Sequence, residues 1–500
     1  MAQDGAIPGG EGPIDPSDEA LLDAAGAPAK PHKPGRGSFD LTTGPITKTL
    51  LLFTLPTLAA NVLQSLNGSI NAIWVGHFLG EAALAATANA NIIMFLLFST
   101  IFGFGMAANV IVGQSMGRGD LVAARRAFGS SIGFSLILTF GLALAGWIFA
   151  PQILHLLSTP KEVEALALDY LRVIFISMPG GLIAISLMMG LRGGGDAMTP
   201  LKFMILTVIL DAGLNPFFIL GIGPFPEWGI AGSAAASAMA NYISVAAMIA
   251  YVYAKDLPLR LRGAEWRFLI PDPEQLKIIV GRGLPMGFQM IVMSLGMLFM
   301  QGFVNREGLA TAAAYSAAQQ LWNYVQMPAM AVGGAISSMA AQNIGANKWD
   351  RVEAATRSGL IINFVMTGVL ILLILAFDRP VLGLFLRGNS DTMDIARHMQ
   401  FLASWSFLFF GMSMVLFGTI RANGIVIFPL VVLIVSLFGI RFGFYFAFYP
   451  TLGADALWWS FSVSSFSSLI MAALYYRYSK WRQKTLHIPR SGPPAATSAS

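Results

Sequence analysis

The sequence contains no cysteine and few charged residues. None of its 500 residues is cysteine, and only 11% are Asp, Glu, Lys or Arg, whereas soluble domains carry roughly 25% charged residues. The missing thiols exclude disulfides, thiol catalysis and Cys-based zinc or iron–sulfur sites. The five histidines lack the HxxxH and HExxH spacings of zinc hydrolases, and no GK[ST] phosphate loop occurs. We therefore expect neither an enzyme nor a cofactor, and no ATP hydrolysis by this chain.

Apolar residues, by contrast, make up 55% of the chain, and they form long uninterrupted segments. Each segment exceeds the roughly 20 residues that a helix needs to span a bilayer, and none alternates like a barrel strand. The sequence therefore predicts an all-α polytopic membrane protein with twelve transmembrane helices. The segments are 47–76, 84–111, 122–150, 166–190, 200–220, 229–253, 276–304, 309–341, 355–377, 395–420, 426–448 and 455–478.

The segments fall into two groups, flanked and joined by polar stretches. Residues 1–44 are rich in Gly, Pro and Ala without an apolar period, so we expect a disordered tail. The first bundle is expected at 45–254, a basic linker at 255–275, the second bundle at 276–478 and a basic tail at 479–500. No cleavable signal peptide is expected, because the first apolar run begins only near Thr47.

The positions of the basic residues predict the orientation of the chain. Most of the 31 Lys and Arg residues fall on one side if both termini are cytoplasmic, which agrees with the positive-inside rule. We therefore expect a multi-pass protein of the plasma (inner) membrane with both termini in the cytoplasm. The basic tail is expected to lie against anionic lipid rather than to bind nucleic acid.

The chain also repeats itself at a nearly constant offset. Pro285 follows Pro56 at the same offset as Arg421 follows Arg192. Gln114 and Gly117 match Gln342 and Gly345 at almost that offset. An even number of spans in each repeat gives two parallel six-helix bundles, with a pseudo-two-fold axis along the membrane normal. A cavity between the bundles that opens to alternate sides is the mechanism expected of such a build.

Three stretches resemble the multidrug and toxic compound extrusion (MATE) family. They are PTLAANVLQSLNGSINAIWVG in segment 1, GLRGGGDAMTPL after segment 4 and LDAGLNPFFILGIGPFPEWGIAGSAAAS in segments 5 and 6. The resemblance covers about residues 45 to 480. It implies a polyspecific exporter that exchanges H⁺ or Na⁺ for organic cations or other amphiphiles, working as a monomer.

The resemblance also locates the ion-coupling residues, although the acidic position has changed. The family usually has an acid near the end of segment 1, where this chain has Asn71. In segment 5 the family often shows Asn followed by Asp four residues later, but here Asp211 precedes Asn215. Ser237 falls where the family often has Thr. Because residues four apart share a helix face, Asp211 is expected to serve the same cavity and to face Asn71.

Some members of the family also carry acids in segments 7 and 10. The corresponding positions here are Met293 and Gly411, so a second cation site in the C-terminal half is not expected.

Asp211 is also conspicuous from the residues alone, because it is an acid deep in an apolar segment. Charges at that depth are costly and usually mark an ion, proton or substrate path. Burial favours the neutral carboxyl, which suits a proton cycle, whereas neighbouring neutral oxygens would suit Na⁺. A structural carboxyl, hydrogen-bonded to Asn71 or to backbone freed near Pro216, is the alternative.

Three polar or polarisable stripes with helical spacing are candidates for the substrate cavity. Methionine accepts many ligand shapes but packs equally well against core or lipid. A face of rings and amides suits cationic aromatic substrates but also holds helices together. The stripes are Asn61, Gln64, Gly68 and Asn71 in segment 1; Met286, Met290, Met293, Met297 and Met300 in segment 7; and Tyr315, Gln319, Trp322 and Gln326 in segment 8.

The function expected overall is secondary antiport of amphiphilic or cationic organic compounds. A flippase for lipid-linked saccharides or other lipids has the same general build and is the alternative. A flippase needs a strongly basic central cavity, whereas few cations lie within the segments. Arg441, in segment 11, is expected to extend to the lipid headgroups. The alternatives are that it attracts anionic substrate groups or pairs with Asp455.

Overall fold

The computed structural model describes residues 40–156, 161–222, 228–383, 386, 390–483, 486 and 488. Within that part the chain is almost entirely helical and contains no strand. Eleven of its helical stretches are long and apolar enough to cross a membrane. The expected all-α membrane fold is therefore confirmed.

The described part of the N-terminal half contains five helical elements. Prolines interrupt the backbone hydrogen bonding inside several of them, and Gly221 ends the fourth in the left-handed conformation that favours glycine. The elements are α1 (Ile46–Gly117), α2 (Leu121–Leu156), α3 (Lys161–Gly193), α4 (Met198–Leu220) and α5 (Gly229–Ala254).

The first of these elements folds back on itself. A straight helix of 72 residues would be about 108 Å long, yet Leu41, just before α1, and Gly117, at its end, both lie beside Gln342. The backbone N–H of Leu41 donates to Gln342 Oε1 at 3.2 Å, and Gly117 packs against the backbone of Gln342. α1 therefore forms two antiparallel arms, which contain the candidate spans Ile46–Leu79 and Met94–Gly117.

The expected linker between the halves is folded against α2. Its 3₁₀ turn, Gly263–Leu269, packs on Gly129 and Gly133. Arg125 forms an ion pair of 3.0 Å with Glu265 of that turn. The linker therefore fixes one end of the second half to the first.

In the C-terminal half, the described residues form ten helices and a π turn, Val435–Ile440. Asp272 begins the half by accepting a hydrogen bond of 2.9 Å from the Glu274 N–H. The helices are α6 (Pro273–Arg306), α7 (Leu309–Val325), α8 (Met327–Gly345), α9 (Trp349–Ala376), α10 (Asp378–Leu382), α11 (Ser390–Ala403), α12 (Ser406–Ala422), α13 (Ile427–Ile434), α14 (Arg441–Leu452) and α15 (Asp455–Tyr478).

The eighth expected segment differs from the sequence-based prediction. The chain covers it with two consecutive helices, α7 and α8, which meet at Gln326 rather than forming one continuous span. Pro328 lies in the first turn of α8 and has no N–H to continue the ladder of α7. The pair replaces the twelfth long helix expected from the apolar pattern.

Both chain ends, as far as the structure describes them, pack against the bundles. Leu41 is fully buried, and Asn343 Nδ2 donates to its carbonyl at 2.9 Å. Trp481 is 1% exposed, and its carbonyl accepts a hydrogen bond of 2.7 Å from Asn423. Residues 40–44 and 479–483 therefore pack against the bundles, although the sequence assigned them to the two tails. Residues 1–39 and most of the C-terminal tail lie outside the described residues, and the proposed domain boundaries stay a prediction.

The two halves meet through glycines. A Cβ added at Gly103 would overlap the backbone of Gly283 and Gly287, and one at Gly287 would lie 2.8 Å from the carbonyl oxygen of Ser99. Small residues let two helix backbones approach closely, as in other membrane proteins. Further from this contact the halves diverge and leave a cavity between them.

Candidate functional site

Asp211 lies inside α4 and is 2% exposed. Three side chains from three segments donate hydrogen bonds to its carboxylate. Asn67 on α1 donates at 2.8 Å, Ser237 on α5 at 2.8 Å and Asn215, one turn along α4, at 3.1 Å. The helices of the N-terminal half thus converge on one carboxylate.

The donors around Asp211 are neutral. Within the described part of the chain, no Lys, Arg or His forms an ion pair with this carboxylate. The side-chain oxygens of Asn67 and Asn215 are buried without a hydrogen-bond partner. The carboxylate and the two free amide oxygens can all accept a hydrogen bond or coordinate a cation. Chemically, the arrangement suits a proton or a small hard cation.

Asn71 is placed differently from the sequence-based expectation. It accepts a hydrogen bond from the Ser233 hydroxyl on α5. The residue on α1 that contacts the carboxylate directly is Asn67, which the sequence analysis missed. Asn67 precedes Asn71 by four residues and therefore shares its helix face, so the spacing that selected Asn71 could also have selected Asn67.

A cavity of about 460 Å³ separates the two halves. Asn61 and Gln64 line it from α1, and most of the methionine stripe lines it from α6. The stripe thus faces the cavity through Met286, Met290, Met293 and Met297, whereas Met300 is fully buried in the core.

Arg192 and Arg421, which the repeat relates, also line this central cavity. In both, the buried Nε lacks a hydrogen-bond partner. The central cavity is therefore more basic than the sequence suggested.

Next to it, within the N-terminal half, is a cavity of about 580 Å³. Gln64 lines both cavities, while Asn67 and Asn241 line the N-terminal one. Because Asn67 also contacts Asp211, this N-terminal cavity reaches the edge of the carboxylate site. The carboxylate therefore lies beside the N-terminal cavity without lining it.

The polar stripe of segment 8 faces a smaller cavity, of about 80 Å³, in the C-terminal half. Tyr315, Gln319, Trp322 and Gln326 all line it. Tyr315 is 1% exposed and Trp322 is 3% exposed, so this face is turned away from lipid. The structure thus brings the segment 8 residues together at one site.

The central cavity is closed at one end by contacts that the repeat relates. Gln114 Nε2 donates to the carbonyl of Ala422 at 2.6 Å, and Gln342 Nε2 donates to the carbonyl of Gly193 at 2.9 Å. Beside them, Asn109 and Ser338 hydrogen bond at 3.0 Å. Since these contacts join opposite halves, separating them would open that end of the cavity.

A membrane protein whose described part is helical, with two repeated halves and a cavity between them closed at one end, has the architecture of transporters built from internal repeats. A family model described as MatE matches residues 56–217 and 285–446. The chain belongs to this family of multidrug and toxic compound extrusion transporters. The two matches begin at Pro56 and Pro285, the pair of prolines that marked the repeat in the sequence, which confirms the predicted repeat.

Relatives and solved structures agree with this assignment. The chain is 33% identical to the probable multidrug resistance protein YoeA of Bacillus subtilis (strain 168), over 88% of this chain and 95% of the relative. It is 31% identical to the probable multidrug resistance protein YpnP of the same organism, over 90% and 99% respectively. A crystal structure of MATE in complex with MaL6 superposes with a TM-score of 0.81 at 21% identity, covering 87% and 97% of the two chains.

Proposed function

We propose that the protein is a secondary antiporter that exports amphiphilic or cationic organic compounds in exchange for H⁺ or Na⁺. The observation that carries the proposal is the Asp211 carboxylate, buried beside two amide oxygens that lack partners. Buried acids in membrane segments typically serve ion pathways. The multidrug resistance proteins similar to this chain support the substrate class.

Coupling follows from the position of this carboxylate. Its ligands come from α1, α4 and α5, and α1 also lines the central cavity. Binding a cation at Asp211 would therefore change the packing of α1 against α4 and α5. A ligand shifts a conformational equilibrium by its difference in affinity for the two states, and this packing is where such a difference would arise.

The proposed location is the plasma membrane, with both termini cytoplasmic and the protein acting as a monomer. The contacts of Leu41 with Gln342 and of Asn423 with Trp481 support placing both termini on one side. That side also carries the ends of α3 and α12, with Arg192 and Arg421. A basic side is expected to face the cytoplasm.

The test of coupling uses purified protein in proteoliposomes, with ethidium as the transported cation and an imposed H⁺ or Na⁺ gradient. Asp211→Asn keeps the size of the side chain and one accepting oxygen but removes its charge. We expect gradient-driven ethidium transport to fall at least tenfold, while Asp350→Asn, at an exposed position, keeps the parental rate. Parental transport by Asp211→Asn under both gradients would refute the coupling role.

The flippase remains the second candidate because of one feature, the pair Arg192 and Arg421 in the central cavity. Two arginines suit a phosphate-bearing headgroup. A fluorescent lipid-linked pyrophosphate saccharide in the same proteoliposomes distinguishes the two functions. Flipping of that lipid without ion-driven ethidium transport would favour the flippase.

A further inference from the structure

Arg441 is buried in the C-terminal half, where the sequence predicted an arginine that extends to the headgroups. It is 7% exposed and begins α14, directly after the π turn. Such turns often occur at functional sites. Its Nε donates to the Ser464 hydroxyl at 3.0 Å, and its guanidinium carbon lies 4.4 Å from the centre of the Phe461 ring. The guanidinium is thus held in one orientation.

No carboxylate neutralises this cation within the described part of the chain, where Arg441 forms no ion pair. The described residues that line the 80 Å³ cavity beside it include no Asp or Glu. They do include the hydroxyls and amides of Tyr315, Gln319 and Ser465. A buried charge without a partner is strongly unfavourable, so a cavity with one cation and several neutral donors favours an anion.

The size and position of this cavity restrict the anion. About 80 Å³ holds a carboxylate or phosphate group, whereas a drug-sized ligand needs roughly 300–1,000 Å³. Met293, Met297 and Gln326 line both this cavity and the central cavity of about 460 Å³. A headgroup at Arg441 can therefore belong to a molecule whose body lies among the methionines of the central cavity.

We propose that Arg441 and the small cavity beside it bind the anionic headgroup of an amphiphile whose apolar body occupies the central cavity. Ser464 and Phe461 orient the guanidinium, while the Tyr315 hydroxyl and the Gln319 amide complete the shell around the anion. The proposal rests on the proposed export of amphiphiles and extends it to acids and zwitterions. Asp211 in the N-terminal half and Arg441 in the C-terminal half then serve opposite charges.

The test measures binding at equilibrium, without an ion gradient, so a failure of coupling does not affect it. The protein is placed in nanodiscs of phosphatidylcholine. The probes are 1-pyrenebutyrate and the matched pyrenebutyl-trimethylammonium, which differ in the charge of the headgroup. Energy transfer from tryptophan to pyrene reports binding, because Trp322 lines the small cavity beside Arg441. The signal from empty nanodiscs is subtracted as background.

We expect Arg441→Gln to weaken binding of the carboxylate probe at least tenfold, about 1.4 kcal/mol, and to change binding of the ammonium probe less than twofold. Arg357→Gln, at an exposed position of α9 outside both cavities, is the matched control and should keep carboxylate binding. Ser464→Ala, which leaves the charge in place, should weaken it several-fold and serves if Arg441→Gln does not fold. Undiminished carboxylate binding in Arg441→Gln would overturn the proposal, and a loss found instead in Arg192→Gln and Arg421→Gln would place the anion in the central cavity.

Two sources of the anion, an exported organic acid and an anionic lipid, are distinguished by adding phosphatidylglycerol to the nanodiscs. Competition by this lipid that disappears in Arg441→Gln assigns the site to lipid headgroups. Carboxylate binding that is unchanged by the lipid assigns it to a soluble amphiphile. Competition by the lipid that persists equally in Arg441→Gln places the anion elsewhere and overturns the proposal.

Discussion

Gln114 and Gln342 make the same contact from opposite halves of the molecule. The Gln114 amide donates to the carbonyl of Ala422, at the end of α12 in the C-terminal half. The Gln342 amide donates to the carbonyl of Gly193, at the end of α3 in the N-terminal half. Those two acceptors are themselves related by the offset that relates Arg192 to Arg421. The hydrogen bonds of Gln114 and Gln342 therefore form a symmetric pair, called the latch below, through which each half contacts the other in the same way.

Gly117→Ala and Gly345→Ala are expected to open this latch. A Cβ at Gly117 would overlap the carbonyl oxygen of Gln342, and one at Gly345 would overlap that of Gln114. Backbone atoms on both sides leave no room for adjustment, so the closed state should lose at least tenfold in population, about 1.4 kcal/mol.

Distances between two spin labels, measured by double electron–electron resonance, report this change. The chain has no cysteine of its own, so the labels attach only to introduced cysteines. Spin labels at Lys255→Cys and Asp350→Cys, both exposed, report the separation of the halves. The separation should lengthen in either alanine variant and stay unchanged in Gly281→Ala, where nothing lies near the added methyl. Equal distances in all three would contradict the latch.

Gln114→Ala and Gln342→Ala test the hydrogen bonds themselves. A neutral hydrogen bond contributes about 0.5–1.5 kcal/mol, so each single variant should populate the open state several-fold more. The double variant should show roughly the sum of the two free-energy changes, since the contacts do not share partners. The same spin labels give the populations, and a double variant no more open than either single one would argue against two independent contacts.

Asn67→Ala distinguishes the two coupling ions. Its N–H stabilises the charged carboxylate of Asp211 at 2.8 Å, and its oxygen is a free acceptor. With H⁺, losing the donor favours the protonated acid, and the half-maximal H⁺ concentration should fall by about tenfold. With Na⁺, losing a ligand oxygen should raise the half-maximal Na⁺ concentration by a similar factor.

Ethidium transport in proteoliposomes over a series of pH values and Na⁺ concentrations gives both constants. Asn71→Ala is the matched control, because Asn71 is bonded to Ser233 rather than to Asp211. Equal shifts in the two variants would show that the direct contact with Asp211 does not matter.

The carboxyl of Asp196, just before α4, is expected to make the stability of the folded protein depend on pH. It accepts hydrogen bonds from the Thr199 backbone N–H at 2.9 Å and hydroxyl at 2.6 Å. Burial nevertheless raises the pKa of Asp196 above its ordinary value of 3.8. The folded protein thus holds this proton more tightly than the unfolded chain, so its contribution to stability falls as pH rises from about 4 through the raised pKa.

Asp196→Asn should remove this dependence while its amide oxygen still accepts a hydrogen bond from the Thr199 backbone N–H. Apparent melting temperatures in detergent between pH 4 and 7 should decline less in the variant than in the parent. Asp196→Ala, which loses the bonds, should be less stable than Asp196→Asn by about 1 kcal/mol at every pH. A parental pH profile in Asp196→Asn would show that another group carries the dependence.

The amino-acid sequence by itself determined the helical membrane fold and the repeat. Long apolar runs that do not alternate like barrel strands satisfy the backbone in lipid as helices. The nearly constant offset of the repeat predicts two parallel halves. Asp211 was identifiable because a lone acid in such a run stands out. Its partners Asn215 and Ser237 followed from the resemblance and lie at the carboxylate.

Only the tertiary structure decided which polar residues meet. Asn67 rather than Asn71 contacts Asp211, because the rotation of α1 against α4 depends on packing that helical spacing does not encode. The break at Gln326 was hidden in an apolar run of suitable length. From its position along segment 11 alone, Arg441 was predicted to extend to the lipid headgroups. Its burial depends on Phe461 and Ser464, which are brought beside it by a different helix.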